Sequence, residues 1–174
     1  MDEIEIVEYN PNWVNIFKRE AEAIRTNVGK DLIADIQHIG STAVPGLAAK
    51  PIIDIMVGLR NLSYGKSVIV PLEELGYVYW ADNPNPERMF FVKGMPPYGK
   101  KRTHHVHVVE IRGEFWQRRL FRDYLRIHPQ EAKQYEQLKR DLAARFRDDR
   151  EAYTEGKTDY IREVMEKARQ EFNL

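Results

Sequence analysis

The chain has 174 residues, of which 43% are hydrophobic and 31% charged, proportions typical of a globular domain that buries its own core. It contains no cysteine, which excludes disulfide bonds and thiolate metal sites. Lysine plus arginine and aspartate plus glutamate each number 27, so no overall charge attracts nucleic acid or anionic lipid. We therefore expect a small ligand that is recognised locally, and no extended nucleic-acid surface.

The N-terminal stretch MDEIEIVEYNPNW is acidic and lacks the basic region and apolar run of a signal peptide. No apolar run in the chain approaches the roughly 20 residues that span a bilayer. We expect a cytoplasmic protein with no membrane partner, folded as a single domain over residues 1–174.

Apolar residues at helical spacing predict a first helix that begins after Asn10 and Pro11 and ends at Gly29. Two β-branched runs then follow, each bounded by glycine or proline as buried strands are, at 32–40 and 51–59.

The middle of the chain alternates short apolar runs with loops rich in Asn, Pro, Gly and Lys. This pattern predicts a helix over 65–75 and strands over 77–80, 88–94 and 104–111.

Toward the C terminus the apolar pattern becomes helical, and Pro129 separates two stripes. We predict helices over 116–124 and 135–146, a short helix at 151–154 and a last helix over 160–172. The order of elements indicates an α/β (α+β) fold, with a mixed β-sheet, an N-terminal helix and C-terminal helices packed on the sheet.

The segment GSTAVPGLAAKPIIDIMV, residues 40–57, places Gly40 and Ser41 ahead of Asp54, a single carboxylate in an apolar run. A Gly-Ser turn at the end of a strand can present N–H groups and a hydroxyl to phosphate oxygens, and Asp54 on the next strand could hold Mg²⁺. This interpretation requires Ser41 and Asp54 to share one cleft. The alternative is structural: a turn glycine, a capping serine and a buried carboxylate bonded to backbone N–H groups.

The fuller string HIGSTAVPGLAAKPIIDIMV resembles the GrpB family within the nucleotidyltransferase-fold superfamily, whose signature is a Gly-Ser pair followed by an aspartate in the next strand. Four later segments are similar to GrpB sequences in the same order, so the resemblance covers essentially the whole chain: RTHHVHVVE, FRDYLRIHP, YEQLKRDLAARF and YTEGKTDYI. The resemblance implies a nucleotidyltransferase-like fold in which Gly40 and Ser41 bind the phosphates of a nucleoside triphosphate. Ser41 and Asp54 are then the catalytic residues.

The chain departs from the active superfamily pattern at Met56. Active members carry a second carboxylate two residues after the first, on the same strand face, where two metal ions can be bridged. A thioether is a poor ligand for Mg²⁺. The run HHVHVVE matches the strand that supplies a later ligand in the superfamily, and alternation places His105 and His107 together on one of its faces.

His105 and His107 have the i, i+2 spacing that lets two imidazoles meet from one strand, and with Asp54 they could bind a metal ion. Contact with a phosphate or a base is a second interpretation. Structural or surface histidines are the third.

Four basic residues are candidate phosphate contacts. Lys50 lies within the motif, Arg102 ends a basic loop before the histidine strand, and Arg122 can bind an oxyanion bidentately. Lys157 precedes the last helix and would close the cleft from the C-terminal side. The alternatives are solvated lysines and an Arg122 that pairs with acidic neighbours on its own helix, such as Asp123.

These observations predict transfer of a nucleotidyl group from a nucleoside triphosphate, with Mg²⁺, to an unidentified acceptor. The alternative is a non-catalytic protein that binds a nucleotide or a phosphorylated metabolite at a reduced metal site, as Met56 suggests. A third hypothesis is a metal-dependent hydrolase that uses Asp54, His105 and His107.

Overall fold

The computed structural model describes residues 3–174, and Met1 and Asp2 lie outside the described residues. Contacts group the chain into two compact units. The sheet unit consists of Pro11–Ile39 and Ile52–Gln117; the helical unit consists of the segment that ends at Asn10, Gly40–Pro51 and Arg118–Leu174. The single domain over 1–174 stays a prediction.

The sheet unit carries every strand found in residues 3–174, and these strands form one five-stranded sheet in the order β1-β2-β5-β4-β3. Strands β2 and β5 are parallel and the other neighbours are antiparallel, which confirms the predicted mixed sheet. The elements of this unit are α1 (Trp13–Val28), β1 (Ile33–Ile39), β2 (Ile53–Leu59), α2 (Ile69–Glu74), β3 (Tyr77–Trp80), β4 (Arg88–Lys93) and β5 (His104–Glu110).

Strand β2 lies between β1 and β5 and is buried on both faces. Ile55, Met56 and Val57 are each at most 1% exposed. When both faces of a strand are buried, its residues are apolar in succession instead of alternating with polar residues. This explains the sequence IDIMVGL. Asp54 is the ionisable exception in this run.

Within residues 3–174 the helical unit contains four α-helices, and Pro129 occupies the first turn of the second of them, where a missing N–H group costs no hydrogen bond. The motif segment Gly40–Pro51 belongs to this unit, and its Val44 and Leu47 join Leu125 and Tyr135 in one apolar core. The four helices are α3 (Arg119–Ile127), α4 (Pro129–Arg145), α5 (Arg150–Gly156) and α6 (Thr158–Glu171).

Three predicted helices have different starts in the structure, and the one predicted over 135–146 begins at Pro129. The region predicted as a helix over 65–75 is a 3-10 segment, Leu62–Val68, followed by α2. The segment starts earlier than predicted because the Asn61 side chain accepts a hydrogen bond from the Ser63 N–H at 2.8 Å and so caps its N terminus. Trp116 lies in a 3-10 turn, Phe115–Arg118, ahead of α3 rather than inside it.

No helix among the described residues is long and apolar enough to cross a membrane. The cytoplasmic location, and the packing of the C-terminal helices on the sheet, stay predictions.

Candidate functional site

Asp54 lies near the start of β2 and faces two histidines of the neighbouring strand β5. In the parallel register Asp54 stands beside His105, and Met56 stands beside His107. The Nδ1 atom of His105 lies 3.1 Å from Oδ1 of Asp54, and the Nε2 atom of His107 lies 3.6 Å from the same oxygen. Alternation along β5 therefore places both imidazoles on the face of the sheet that carries Asp54.

The two imidazoles decide the charge of Asp54. Burial by itself raises the pKa of this carboxyl, but hydrogen bonding and charge interactions with His105 and His107 lower it well below its usual range. Burial lowers the pKa of His107, and the attraction of Asp54 only partly opposes this effect. The group consequently presents an ionised carboxylate beside a largely neutral His107 ring at neutral pH.

Arg88 of β4 determines the tautomer of His107. Its Nη1 lies 3.4 Å from Nδ1 of His107, and its Nη2 donates a hydrogen bond to Oδ1 of Asn83 at 2.6 Å. A guanidinium group can only donate, so Nδ1 of His107 accepts and the ring proton sits on Nε2, which faces Asp54. The guanidinium carbon also lies 4.9 Å from the centre of the Phe90 ring.

His105 has one nitrogen available for a ligand. Its Nδ1 hydrogen-bonds to the ionised Asp54, so Nδ1 carries the proton in that bond. Within residues 3–174 the buried Nε2 atom has no hydrogen-bond partner. A carboxylate that holds one imidazole nitrogen and leaves the other available is an arrangement suited to proton transfer or to ligand binding.

Met56 occupies the position at which active nucleotidyltransferases carry a second carboxylate. It is 0% exposed and packs with Val109, Phe115 and Trp116 in an apolar cluster. The structure therefore gives this position a core role.

The described residues contain no group of three or more His, Cys, Asp or Glu side chains arranged to hold a metal ion. Asp54, His105 and His107 are close together, but the two imidazoles are directed at the carboxylate itself. The metal role of these three residues, and Mg²⁺ as a cofactor, stay predictions.

Gly40 and Ser41 form the turn that the motif predicted. Gly40 has φ 72°, a left-handed conformation that favours glycine, and Ser41 begins a 3-10 turn over Ser41–Ala43. The carbonyl of Gly40 accepts the N–H of Ala43 at 3.2 Å. Ile39, the residue before Gly40, is paired with Asp54 in the register of β1 and β2. That Ser41 and Asp54 share one cleft stays a prediction.

Lys50 and Lys157 both lie over the ring of Tyr153, at 5.0 and 4.4 Å from its centre. Lys157 occupies the N-cap position of α6 without a side-chain cap, and Thr158 is the first helical residue. The structure brings these two lysines together within the helical unit.

The two candidate arginines are engaged elsewhere. Arg122 is 6% exposed and binds the Asp123 carboxylate through Nε at 2.8 Å and Nη2 at 2.7 Å, which matches the pairing alternative. The guanidinium carbon of Arg102 lies 4.9 Å from the ring centre of Trp80.

Sequence reasoning missed three residues with a place in these groups. Arg88 begins β4, a strand that is only partly buried, and Lys139 and Tyr153 have helical spacing typical of ordinary amphipathic positions. The sequence signal was the position of Lys139, a charged residue four places after the apolar Tyr135 and therefore on the same face of the helix.

Comparison with known proteins gives a consistent result. The family profile described as "GrpB protein" matches residues 3–167. The chain is 48% identical to UPF0157 protein PA4798 of Pseudomonas aeruginosa over 167 residues, which cover 96% of this chain and 68% of that protein. It is 40% identical to UPF0157 protein YqkA of Bacillus subtilis over 95% of this chain, but spans only 47% of that relative's length.

A solved structure shares the fold. The crystal structure of conserved protein GrpB from Enterococcus faecalis superposes with a TM-score of 0.87 at 33% sequence identity. The match covers 98% of this chain and 100% of the solved chain.

Proposed function

The chain belongs to the GrpB family, and we propose that it binds a nucleoside triphosphate together with Mg²⁺ and transfers the nucleotidyl group to an acceptor. The acceptor oxygen or nitrogen bonds to the α-phosphorus, the bond between the α- and β-phosphates breaks, and pyrophosphate leaves. One observation carries the proposal. An ionised carboxylate, Asp54, is paired across β1 and β2 with Ile39, and Gly40 and Ser41 follow Ile39 directly in the chain. The turn that we propose to bind phosphate thus begins at the residue after the one that pairs with Asp54.

The donor set fits Mg²⁺ only in part. Mg²⁺ is commonly held by one or two carboxylates, with phosphate oxygens and water completing its coordination. Asp54 supplies one carboxylate, and its lowered pKa keeps it available as an anion at neutral pH. Bound there, Mg²⁺ would neutralise the negative charge that develops on the transferred phosphate.

The chain's own residues position this carboxylate. His105 donates to Oδ1 of Asp54 at 3.1 Å, and the Nε2 proton of His107, whose tautomer Arg88 selects, faces the same oxygen. Both histidine contacts are to Oδ1 of Asp54, so neither histidine engages the second carboxylate oxygen, Oδ2. The side chain is 28% exposed. Positioning through His105 and His107 leaves this oxygen for a ligand.

Met56 favours a second candidate, in which the protein binds a nucleotide or phosphorylated metabolite without catalysis. Its side chain is 0% exposed among apolar neighbours, so this position supplies no second metal ligand. A two-metal mechanism at β2 is therefore excluded unless the second ligand comes from another strand.

The test is a panel of nucleoside triphosphates with and without Mg²⁺, read as the shift in unfolding temperature and by calorimetry. A ligand that binds only the folded state stabilises it by about 2.7 kcal/mol at a hundredfold excess over Kd. We expect Asp54→Asn to lose the part of the stabilisation that depends on Mg²⁺, whereas Asp31→Asn, which changes an exposed carboxylate of the same unit, should keep it.

Turnover separates the two candidates. A triphosphate labelled at the α-phosphate is incubated with the protein, Mg²⁺ and a low-molecular-weight metabolite extract. Transfer of label to a new species that Asp54→Asn abolishes supports catalysis. Stabilisation by nucleotide without transfer supports the binding protein. Absence of stabilisation by every triphosphate refutes the transferase, and absence of stabilisation by phosphorylated metabolites as well refutes both candidates.

A further inference from the structure

Three lysine side chains of the helical unit gather around two tyrosine rings. The ammonium nitrogens of Lys157 and Lys50 lie 4.4 and 5.0 Å from the centre of the Tyr153 ring. The ammonium nitrogen of Lys139 lies 4.9 Å from the centre of the Tyr135 ring. Aromatic faces attract cations most strongly where water is excluded. Lys50 and Lys157 thus share the Tyr153 ring, and the charge interactions of both with Lys139 place the third ammonium group near them.

Lys139 is the buried member of this group, with 2% exposure. Its ammonium donates a hydrogen bond to the backbone carbonyl of Ala48, two residues before Lys50. Glu136 accepts the N–H of the same Ala48 at 3.0 Å, so α4 binds both backbone groups of this residue. Lys139 is therefore fixed in place beside the segment that carries Lys50.

The charges around Lys139 are mostly positive. Burial lowers the pKa of Lys139 to about 7, and Lys157 is the strongest charged contributor. Lys50 and Arg140 contribute to the same lowering, while Glu136 opposes it. Like charges at short range disfavour full protonation of the group, and a bound anion would reverse that effect.

Tyr153 provides a second, independent observation. It is 0% exposed, and within residues 3–174 its hydroxyl has no hydrogen-bond partner. Buried hydroxyl groups are usually hydrogen-bonded because burial without a partner is costly. This hydroxyl belongs to the ring that Lys50 and Lys157 contact, so an anion that reaches it would satisfy a buried donor.

We infer that Lys50, Lys139 and Lys157 form an anion site for a phosphate chain, and that Lys139 takes up a proton from solvent when the anion binds. Three ammonium groups match the charge of a di- or triphosphate better than that of a monoanion. The choice of a phosphate chain as ligand rests on the proposed function. The anion site itself stands on the lysines and Tyr153, all within the helical unit, and does not depend on Asp54.

The first experiment measures metal-free binding of ATP in EDTA by calorimetry at low salt. We expect Lys157→Met to weaken binding by about tenfold or more, since the variant loses a charge-assisted hydrogen bond to a phosphate oxygen. The matched control is Lys133→Met, which removes an exposed lysine from α4 and should bind like the wild type. Equal affinity of Lys157→Met and Lys133→Met would overturn the inference, as would the absence of metal-free binding.

The second experiment measures proton uptake. ATP binding is repeated at about pH 8 in two buffers of different ionisation enthalpy, because phosphate groups with a second pKa of about 6 are already ionised there. We expect the wild type and Lys133→Met to take up between about half and one proton per ATP, and Lys139→Met to take up none. Identical heats in the two buffers for the wild type would contradict the role of Lys139. Circular dichroism checks that each variant is folded. If Lys139→Met does not fold, Lys157→Met still tests the anion site.

A third measurement separates the two sources of a phosphate chain. The two sources are an inorganic polyphosphate and the phosphate chain of a nucleotide, and competition by inorganic tripolyphosphate supports a site for either. Tripolyphosphate that binds as tightly as ATP indicates a site for the phosphate chain alone, whereas tighter binding of ATP indicates a nucleotide. Failure of tripolyphosphate to compete would overturn the site, as would binding of adenosine at the same affinity as ATP.

The two proposals fail separately. Nucleotide binding that needs Mg²⁺ and Asp54 but is unchanged in Lys157→Met leaves the proposed function standing and removes the lysine site. Metal-free binding that needs Lys157 and survives Asp54→Asn supports the lysine site whatever the turnover assay shows.

Discussion

The buried lysine of α4 should give the protein a measurable dependence of stability on pH. The pKa of Lys139 is about 7 in the folded chain against an ordinary value of 10.5. Between these two values the unfolded state binds about one more proton than the folded state, so the free energy of unfolding rises with pH. Below about pH 7 both states are protonated, and the destabilisation by Lys139 is then fully present and constant.

The expected slope follows from this proton difference. One proton corresponds to about 1.4 kcal/mol per pH unit, which gives a rise of about 2–3 kcal/mol between about pH 7.5 and 9.5. Stopping near pH 9.5 avoids the ionisation of tyrosines, whose ordinary pKa is about 10. Because Lys139 is 2% exposed, solvent screening does not reduce this figure.

The assay is urea unfolding of the wild type, Lys139→Met and Lys133→Met at several pH values across this window. The difference in free energy of unfolding between the wild type and Lys139→Met isolates the contribution of Lys139 to stability. We expect that difference to change by about 2–3 kcal/mol between about pH 7.5 and 9.5. Lys133→Met should run parallel to the wild type. A Lys139→Met curve parallel to the wild type would refute the lowered pKa. Saturating ATP in EDTA should flatten the wild-type slope if the lysines bind its phosphates.

Three further predictions concern packing and helix capping. Met56 is 0% exposed, so Met56→Asp should lower the free energy of unfolding by at least about 3 kcal/mol without creating Mg²⁺ binding. Met56→Leu should cost less than about 1.5 kcal/mol. A stable Met56→Asp that binds Mg²⁺ would show that the position is a reduced metal site. Gly58→Ala should cost about 1–3 kcal/mol in urea unfolding, because its Cβ would lie 2.8 Å from Cζ3 of Trp116; an unchanged midpoint would mean that the indole is not packed there. Asp149→Ala should cost about 1 kcal/mol, because the Asp149 side chain accepts the Ala152 N–H at 2.9 Å and caps α5; stability equal to the wild type in the same assay would remove this cap.

Local sequence signals determined most of the elements. Helical spacing and a glycine stop predicted α1 up to Gly29, and the unbroken apolar run around Asp54 predicted a doubly buried strand. Alternation alone placed His105 and His107 on one face of β5. Periodicity and caps act over a few residues, so these features can be read before any long-range contact is known.

Only the tertiary structure decided which distant side chains meet. Arg88 reaches His107 because β4 pairs with β5, and no local pattern specifies that pairing. Lys139 binds the Ala48 carbonyl, and Lys50 shares the Tyr153 ring with Lys157, although the motif segment is far from α4 and α5 in the chain. The charge of a group follows from burial and from neighbours within a few ångströms, and those neighbours come from strand register and packing.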